Sequence, residues 1–192
     1  MMLLCSGCGG SGSPSTPSPP SISGVSCGDE RWAVKTLSDA DADRVDVTQT
    51  IPSSISALNA LPPHCSSLPE RRTFPEEFRS YEVLGRVTFV RLEDDRDYHV
   101  AIVDPLAPGQ TMIVESVDPR CRGAVSSPHL ALLTRARASF NAMIGVAPSS
   151  LVGQTVRVRG VGFYDFDHGQ TGRSKSCIEL HPIIGIEVTD VS

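Results

Sequence analysis

The stretch that decides the fold is "RSYEVLGRVTFVRLEDDRDYHVAIVD", residues 79–104. Two runs rich in β-branched and aromatic residues flank an acidic turn at residues 93–97. In the second run the side chains alternate between two faces, with Tyr98, Val100 and Ile102 on one and His99, Ala101 and Val103 on the other. A period of two residues on either side of a polar turn predicts a β-hairpin.

The next elements are a third strand and one helix. The strand is "QTMIVESV" at 110–117, and the helical stretch is "SSPHLALLTRARASFNAMIG" at 126–145. Ser127 suits the helix cap and Gly145 suits the terminator. An apolar stripe at three- and four-residue spacing predicts packing on a sheet, while Arg137 and its polar neighbours point elsewhere. The stripe consists of Leu133, Ala136, Phe140 and Ile144.

Two more strands complete the domain, "GQTVRVRGVGFYDF" at 153–166 and "CIELHPIIGIEV" at 177–188. Alternation predicts that the apolar residues face the core and that their charged neighbours face outward. The inward set is Val156, Val158, Ile178 and Leu180, and the outward set is Arg157, Arg159, Glu179 and His181. Three strands, a helix and two strands predict a mainly β fold. We expect a small five-stranded OB-type barrel capped by an α-helix over residues 79–192.

Three segments precede that domain. Residues 1–8 resemble the end of a bacterial lipoprotein signal, in which small residues precede a lipid-modified cysteine, here Cys8. Residues 9–28 have the Gly/Ser/Pro composition of a flexible tether. A signal of this kind predicts a lipid-anchored protein of the cell envelope or a secreted one; the alternative is a disordered N-terminus on a soluble protein. Residues 29–78, interrupted by prolines, predict an irregular segment that wraps the barrel.

Four cysteines lie after the tether, Cys27, Cys65, Cys121 and Cys177. In an exported domain an even number permits two disulfides, with three possible pairings. Metal binding is the competing interpretation, but this part of the chain contains no C-x-x-C pair.

Composition restricts the partners. The net charge is −5 and aromatic residues make up 5% of the chain. A basic face or a platform of stacked rings is therefore not expected, and nucleic acid is an unlikely class of ligand. No apolar run approaches the roughly 20 residues of a membrane-spanning helix, so we expect membrane contact only through a lipid anchor. We expect a monomer whose partner is an unknown ligand or protein.

Three blocks of sequence carry a family resemblance: residues 30–46, residues 93–105, and "VRVRGVGFYDFDHGQTGRSKSCIELHPI" at 156–183. Over residues 29–188 the chain resembles a group of uncharacterised exported bacterial proteins, and the "HGQTG" to "IELHP" motif is its most specific part. That group resembles the OB fold of staphylococcal-nuclease-like domains, and it has no assigned activity.

The nuclease chemistry of those domains requires acidic and arginine residues at set positions. By resemblance, Asp95 or Asp97 matches the hairpin acid and Asp118 matches the strand acid. Ile113 stands where the family has Arg, and Cys121 stands where it has Glu. Without these groups nothing stabilises the phosphorane charge or orients the attacking water. We therefore lean away from an enzyme.

Three polar i, i+2 pairs each share a strand face: Asp97 with His99, Asp165 with Asp167, and Glu179 with His181. Such side chains are about 6.5–7 Å apart along the strand, close enough to converge on a cation or to form an acid/base pair. The catalytic candidates are Asp165, Asp167, His168, Glu179 and His181. The ligand-binding candidates are Asp97, His99, Arg157, Arg159 and Gln170. No cofactor or metal is assigned, although a divalent metal stays open.

A structural role for the same residues is the favoured alternative. Arg157 and Arg159 can form cross-strand ion pairs instead of holding a phosphate. "DHGQTGRSKSC", residues 167–177, then forms an ordered loop held by Asp167, His168, Gln170 and Thr171, with Gly169 and Gly172 in angles that favour glycine. The leading function is a non-catalytic, surface-tethered binding module. The alternative is a metal-dependent hydrolase that uses the polar cluster at 165–181.

Overall fold

The computed structural model describes residues 27–28 and 30–189. The strands are β1 (Asp46–Pro52), β2 (Arg79–Leu92), β3 (Tyr98–Asp104), β4 (Ala107–Ser116), β5 (Thr155–Tyr164) and β6 (Ile178–Val188). The α-helices are α1 (Trp32–Lys35), α2 (Ile55–Asn59), α3 (Arg122–Ser126) and α4 (Leu130–Ile144). None of the helices in this part of the chain is long and apolar enough to cross a membrane. The proposed signal, Cys8 and most of the tether lie outside the described residues.

Five of the strands close into a ring. The hairpin β2–β3 is antiparallel as predicted, β3 pairs with β4, β4 runs parallel to β6, β6 pairs with β5, and β5 returns to β2. The result is an OB-like barrel with one long helix, α4.

A sixth strand, β1, adds parallel to the start of β2, and the sequence-based count of five missed it. The side chains of β1 are exposed or half-buried throughout. Because a strand held mainly by backbone pairing needs no apolar alternation, its sequence carries little periodic signal.

The predicted core register is confirmed. Val156, Val158, Ile178 and Leu180 are buried in one cluster together with Phe140 of α4. Arg157 and Arg159 are exposed, as predicted. Burying each such apolar side chain stabilises the fold by about 1.5–3 kcal/mol, so this register is strongly preferred over one shifted by a residue.

Three polar residues that the pattern placed outside are buried. Glu179 is 1% exposed, His181 is 0% exposed and Arg137 is 9% exposed. The prediction that these side chains face solvent is therefore wrong. For Glu179 and His181 the reason is a covering layer outside the barrel, whose apolar cluster joins Leu37 and Val45 to Val161 and Ile184. Arg137 is buried instead against the Tyr98 ring and the carbonyl oxygens of Ser116 and Arg96.

Two buried arginines fasten this layer. Arg31 forms an ion pair of 2.7 Å with Glu77 and donates to the carbonyl oxygens of Tyr164, Pro69 and Arg71. Arg72 lies 3.1 Å from Asp39 and donates to the carbonyls of Val34 and Glu77. A buried guanidinium is tolerated only when its donors are satisfied, which these contacts achieve.

Two disulfides also hold the layer. Cys27 is bonded to Cys121, and Cys65 is bonded to Cys177. The even cysteine count is thereby explained by two disulfides, and the structure selects one of the three pairings. Cys65–Cys177 joins residues 112 positions apart and ties the covering layer to the residue before β6.

Candidate functional site

A cavity of about 630 Å³, here called the hairpin cavity, opens between three walls. The first wall is the segment around α1, with Glu30, Trp32 and Lys35. The second is the end of the β2–β3 hairpin, residues 89–95, and the third is the loop 168–171 between β5 and β6. Its floor contains His99, Glu115 and Asp165. In OB folds the loops between the first two and the last two barrel strands border the ligand site.

A row of four buried side chains, here called the histidine–carboxylate chain, leads from His99 and Glu115 in the floor into the protein interior. His99 on β3 faces Glu115 on β4 in register, and His99 Nδ1 lies 2.8 Å from Glu115 Oε1. His181 on β6 lies between the other Glu115 oxygen, 3.0 Å from its Nδ1, and Asp97 Oδ2, 3.2 Å from its Nε2. The Nδ1 contact has the distance of an ion pair without hydrogen-bond alignment.

Both ends of the histidine–carboxylate chain form hydrogen bonds with backbone groups. The Nε2 atom of His99 lies 2.8 Å from the carbonyl oxygen of Thr171, and Asp97 Oδ1 accepts the N–H of Asp118. A carbonyl oxygen only accepts, so His99 Nε2 carries a proton. Its Nδ1 faces a carboxylate and therefore also donates, which makes His99 an imidazolium when Glu115 is ionised. His99 thus links the cavity floor to the loop at Thr171.

The pKa values follow from this geometry. Burial alone would lower the pKa of His181, but the carboxylates of Glu115 and Asp97 outweigh it and raise that pKa to about 10. Burial raises the pKa of Asp97 to about 6, and its bond to His181 limits the rise. Burial would raise the pKa of Glu115, but His181 and His99 hold it below its usual value. Two imidazoliums thus balance two carboxylates inside the protein.

A second set of ionisable side chains, Lys35, Asp165 and Glu179, lies beside the histidine–carboxylate chain. Lys35 Nζ is 3.6 Å from Asp165 Oδ2 and 5.5 Å from the centre of the Phe163 ring. Glu179 is buried, and its Oε2 has no hydrogen-bond partner among the described residues. Burial, together with the charges of Asp165 and Glu115, raises the pKa of Glu179 well above its ordinary value. Burial and nearby negative charges thus disfavour the ionised form of this carboxyl group.

The loop at 167–177 is ordered by local bonds, as predicted in part. The Gln170 side chain donates to the carbonyl of Phe166 and accepts the N–H of His168, and Asp167 accepts the N–H of Gly169. Gly169 and Gly172 have φ values of 83° and 87°, which confirms the need for glycine. The predicted role of the His168 side chain is wrong, because its imidazole is exposed and makes no hydrogen bond to a described residue.

The sequence candidates separate into three groups. Asp97, His99, Asp165, Glu179 and His181 come together at or below the cavity floor, whereas His168 and Gln170 line its rim. Asp167 is exposed and pairs with Arg173 at 3.1 Å. The ligand-binding candidates Arg157 and Arg159 are not part of the cavity wall. Arg157 pairs across strands with Glu82 and Glu187, and the guanidinium of Arg159 packs over Gly185.

Sequence reasoning missed Glu30, Lys35 and Glu115. Glu115 is the centre of the histidine–carboxylate chain, but the sequence pattern predicted only a third strand there. The cross-strand partner of His99 could have revealed it, because a buried imidazole requires an acceptor. Nothing in the local pattern of Glu30 and Lys35 places them at the cavity.

Among the described residues, two sets of side chains have ligand atoms within 4.8 Å of one another, close enough to share a metal ion: Glu30, Asp165 and His168, and Asp97, Glu115 and His181. In the second set the ligand atoms already contact one another, so an ion would have to displace those contacts. The first set lies on the cavity wall. At the two positions of the nuclease pattern, Ile113 is buried and Cys121 is in a disulfide, so neither supplies a guanidinium or a carboxylate.

Comparison with known proteins gives the following. No protein-family model matches the chain, and no curated protein matches it. Among solved structures it is similar to OB4 of the yeast telomere protein Cdc13, with a TM-score of 0.33 and 15% identity, over 60% of this chain and 79% of that one. The OB-like architecture described above follows from the strand pairing and does not depend on this likeness.

Proposed function

We propose that the protein is a non-catalytic binding module whose hairpin cavity takes the cationic group of a small organic ligand. The observation that carries this proposal is the charge of the cavity wall. Lys35, Arg91 and His99 are paired with Asp165, Glu93 and Glu115, respectively. Glu30, Asp94 and Asp95 also line the cavity, and no cationic side chain of the described residues lies within ion-pair distance of them.

Three unpaired carboxylates make the opening a region of negative potential. Such a region attracts a cation and repels phosphate backbones. Trp32 and Phe89 also line the cavity and are half-buried, and the guanidinium of Arg91 lies 6.0 Å from the centre of the Phe89 ring, so this ring already accommodates a cation. Cations bind favourably over aromatic faces, and a guanidinium or ammonium group also donates hydrogen bonds to carboxylates. The cavity volume suits a small ligand.

Surface tethering belongs to the same proposal. Lipidation of Cys8 would place the binding module at the membrane surface through its Gly/Ser/Pro segment. The test is metabolic labelling with a clickable fatty acid when the chain is expressed behind a complete lipoprotein signal. Labelling should be lost in Cys8→Ser and retained in Cys5→Ser. Equal labelling of both variants would contradict the anchor.

The cation proposal is tested by calorimetric titration of the full-length, oxidised chain with butylguanidinium and with its neutral isostere butylurea. The two probes have nearly the same shape and differ in charge. We expect binding of butylguanidinium and none of butylurea. Affinity should fall at high salt, because exposed charges are screened.

Matched variants localise the site. Glu30→Gln combined with Asp94→Asn removes two exposed carboxylates and should weaken butylguanidinium binding at least tenfold, which is about 1.4 kcal/mol. The control is Glu187→Gln, a carboxylate with a 64% exposed side chain outside the cavity wall, and it should bind as the wild type does. Equal affinity of all three proteins, or binding of butylurea, would refute the proposal.

A divalent cation is the second candidate ligand, because Glu30, Asp165 and His168 have the spacing of a metal set. Calcium or zinc would then raise the melting temperature by binding only the folded form. His168→Ala would abolish that rise while leaving butylguanidinium binding in place. Such a result would favour the metal-dependent hydrolase.

A further inference from the structure

A second cavity, of about 570 Å³, lies on the opposite face of the same hairpin. Leu92 and Tyr98 line it, whereas their chain neighbours Arg91 and His99 line the hairpin cavity. Successive strand residues face opposite sides, so the hairpin separates the two cavities. We call the second one the arginine cavity. Its polar lining consists of Arg96, Tyr98, Asp118, Arg120, Arg137 and Asn141.

The charge of this cavity is the reverse of the first. Three guanidinium groups, those of Arg96, Arg120 and Arg137, line it together with one carboxylate, that of Asp118. Arg120 binds Asp118 through two nitrogens, at 2.9 and 2.7 Å, and Arg96 lies 3.8 Å from the same carboxylate. One negative charge neutralises one guanidinium, so two positive charges remain. This excess is local, because the whole chain has a net charge of −5.

Arg137 is the buried arginine of the cavity. It projects from α4, and its terminal nitrogens donate to the carbonyl oxygens of Ser116 and Arg96. Its guanidinium lies 4.3 Å from the centre of the Tyr98 ring. No carboxylate of the described residues lies within ion-pair distance of it. Neutral carbonyls fix the position of this charge, and the carboxylates of Asp97 and Asp118 act on it only from beyond ion-pair distance.

We propose that the arginine cavity binds the phosphate group of a small phosphate monoester. A phosphate monoester carries a charge near −2 at neutral pH, which matches the two uncompensated guanidiniums. The planar guanidinium fork suits phosphate oxygens, and Arg96 can present it from the hairpin turn, while Arg137 adds its positive charge from α4. The cavity is larger than an inorganic phosphate, and Tyr98 and Leu92 provide an apolar wall for the organic part of the ester.

The test is titration of the full-length, oxidised chain with phenyl phosphate, inorganic phosphate and phenol at low salt. We expect phenyl phosphate to bind, inorganic phosphate to bind several-fold more weakly, and phenol not to bind. Equal affinity for the ester and for inorganic phosphate would overturn the assignment of an ester. Binding of phenol would overturn the role of charge.

Variants place the site. Arg96→Gln combined with Arg120→Gln should weaken phenyl phosphate binding at least tenfold; both side chains are substantially exposed, at 45% and 74%, so the fold should persist. Arg157→Gln removes a comparably exposed arginine, at 46%, from the barrel exterior and should have no effect. Equal loss in both variants would overturn the proposal. Butylguanidinium binding should be unchanged in all of these proteins, so failure of this site is distinguishable from failure of the hairpin cavity.

Discussion

The histidine–carboxylate chain makes His181 the most informative residue to perturb. His181 is 0% exposed and lies between two carboxylates. In His181→Gln the side chain stays polar and similar in size, but its positive charge is lost. Asp97 and Glu115 then remain buried without their shared cation. Removing one partner of a buried ion pair costs about 3–5 kcal/mol, so we expect a loss of stability of this order.

The same substitution should change how stability depends on pH. The pKa of His181 is raised from 6.5 to about 10 in the folded protein. Its contribution is therefore fully present below about pH 6.5 and is lost as the pH rises through the folded value. The wild-type free energy of unfolding should fall by up to about 1.4 kcal/mol per pH unit over this interval because of His181. His181→Gln should lack this part of the slope.

The measurement is urea denaturation followed by fluorescence of Trp32, the single tryptophan, from about pH 6.5 to about pH 9. His168→Gln is the matched control, since it removes an exposed imidazole and should change the free energy of unfolding by less than about 0.5 kcal/mol. Equal pH slopes in His181→Gln and the wild type, or a loss below about 1 kcal/mol, would refute a charged His181 between two carboxylates.

Two further substitutions test the loop and the covering layer. Gly172→Ala places a Cβ 2.3 Å from that of Ala101, in addition to its φ of 87°. It should therefore destabilise more than Gly169→Ala, which has a similar φ but open space around it; equal melting temperatures would contradict the close approach of loop and barrel. Replacing both Cys65 and Cys177 by Ser opens a disulfide of separation 112. By the chain-entropy estimate the double replacement should lower the free energy of unfolding by about 5 kcal/mol in urea titrations, and a loss below about 1 kcal/mol would show that this disulfide does not hold the layer.

The barrel core could be predicted from sequence because its signal is local. Val156, Val158, Ile178 and Leu180 alternate with charged residues, and only one face of each pair can be buried at low cost. The stripe of α4 repeats at helical spacing for the same reason. The positive φ of Gly169 and Gly172 could also be predicted, since glycine adopts such angles without a steric penalty.

The candidate site was predicted only in part from the sequence. His99, Asp97, Glu179 and His181 were singled out as polar residues at strand spacing, and the structure brings them together. Their burial was not predicted, because alternation distinguishes two strand faces without showing whether a further layer covers the outer one. Residues 30–78 provide that layer, and their contacts depend on Arg31, Arg72 and two disulfides between distant positions.

What the sequence by itself determined is therefore the set of short-range periodicities: the hairpin, the helix stripe and the core register. The tertiary structure alone decided which charges meet. Glu115 contacts His181 because β4 and β6 lie side by side. Arg137 is shielded from solvent because it packs against the start of β3 and the end of β4. Ion pairing and desolvation depend on distances of a few ångströms between residues far apart in the chain, and no local pattern of residue types encodes those distances.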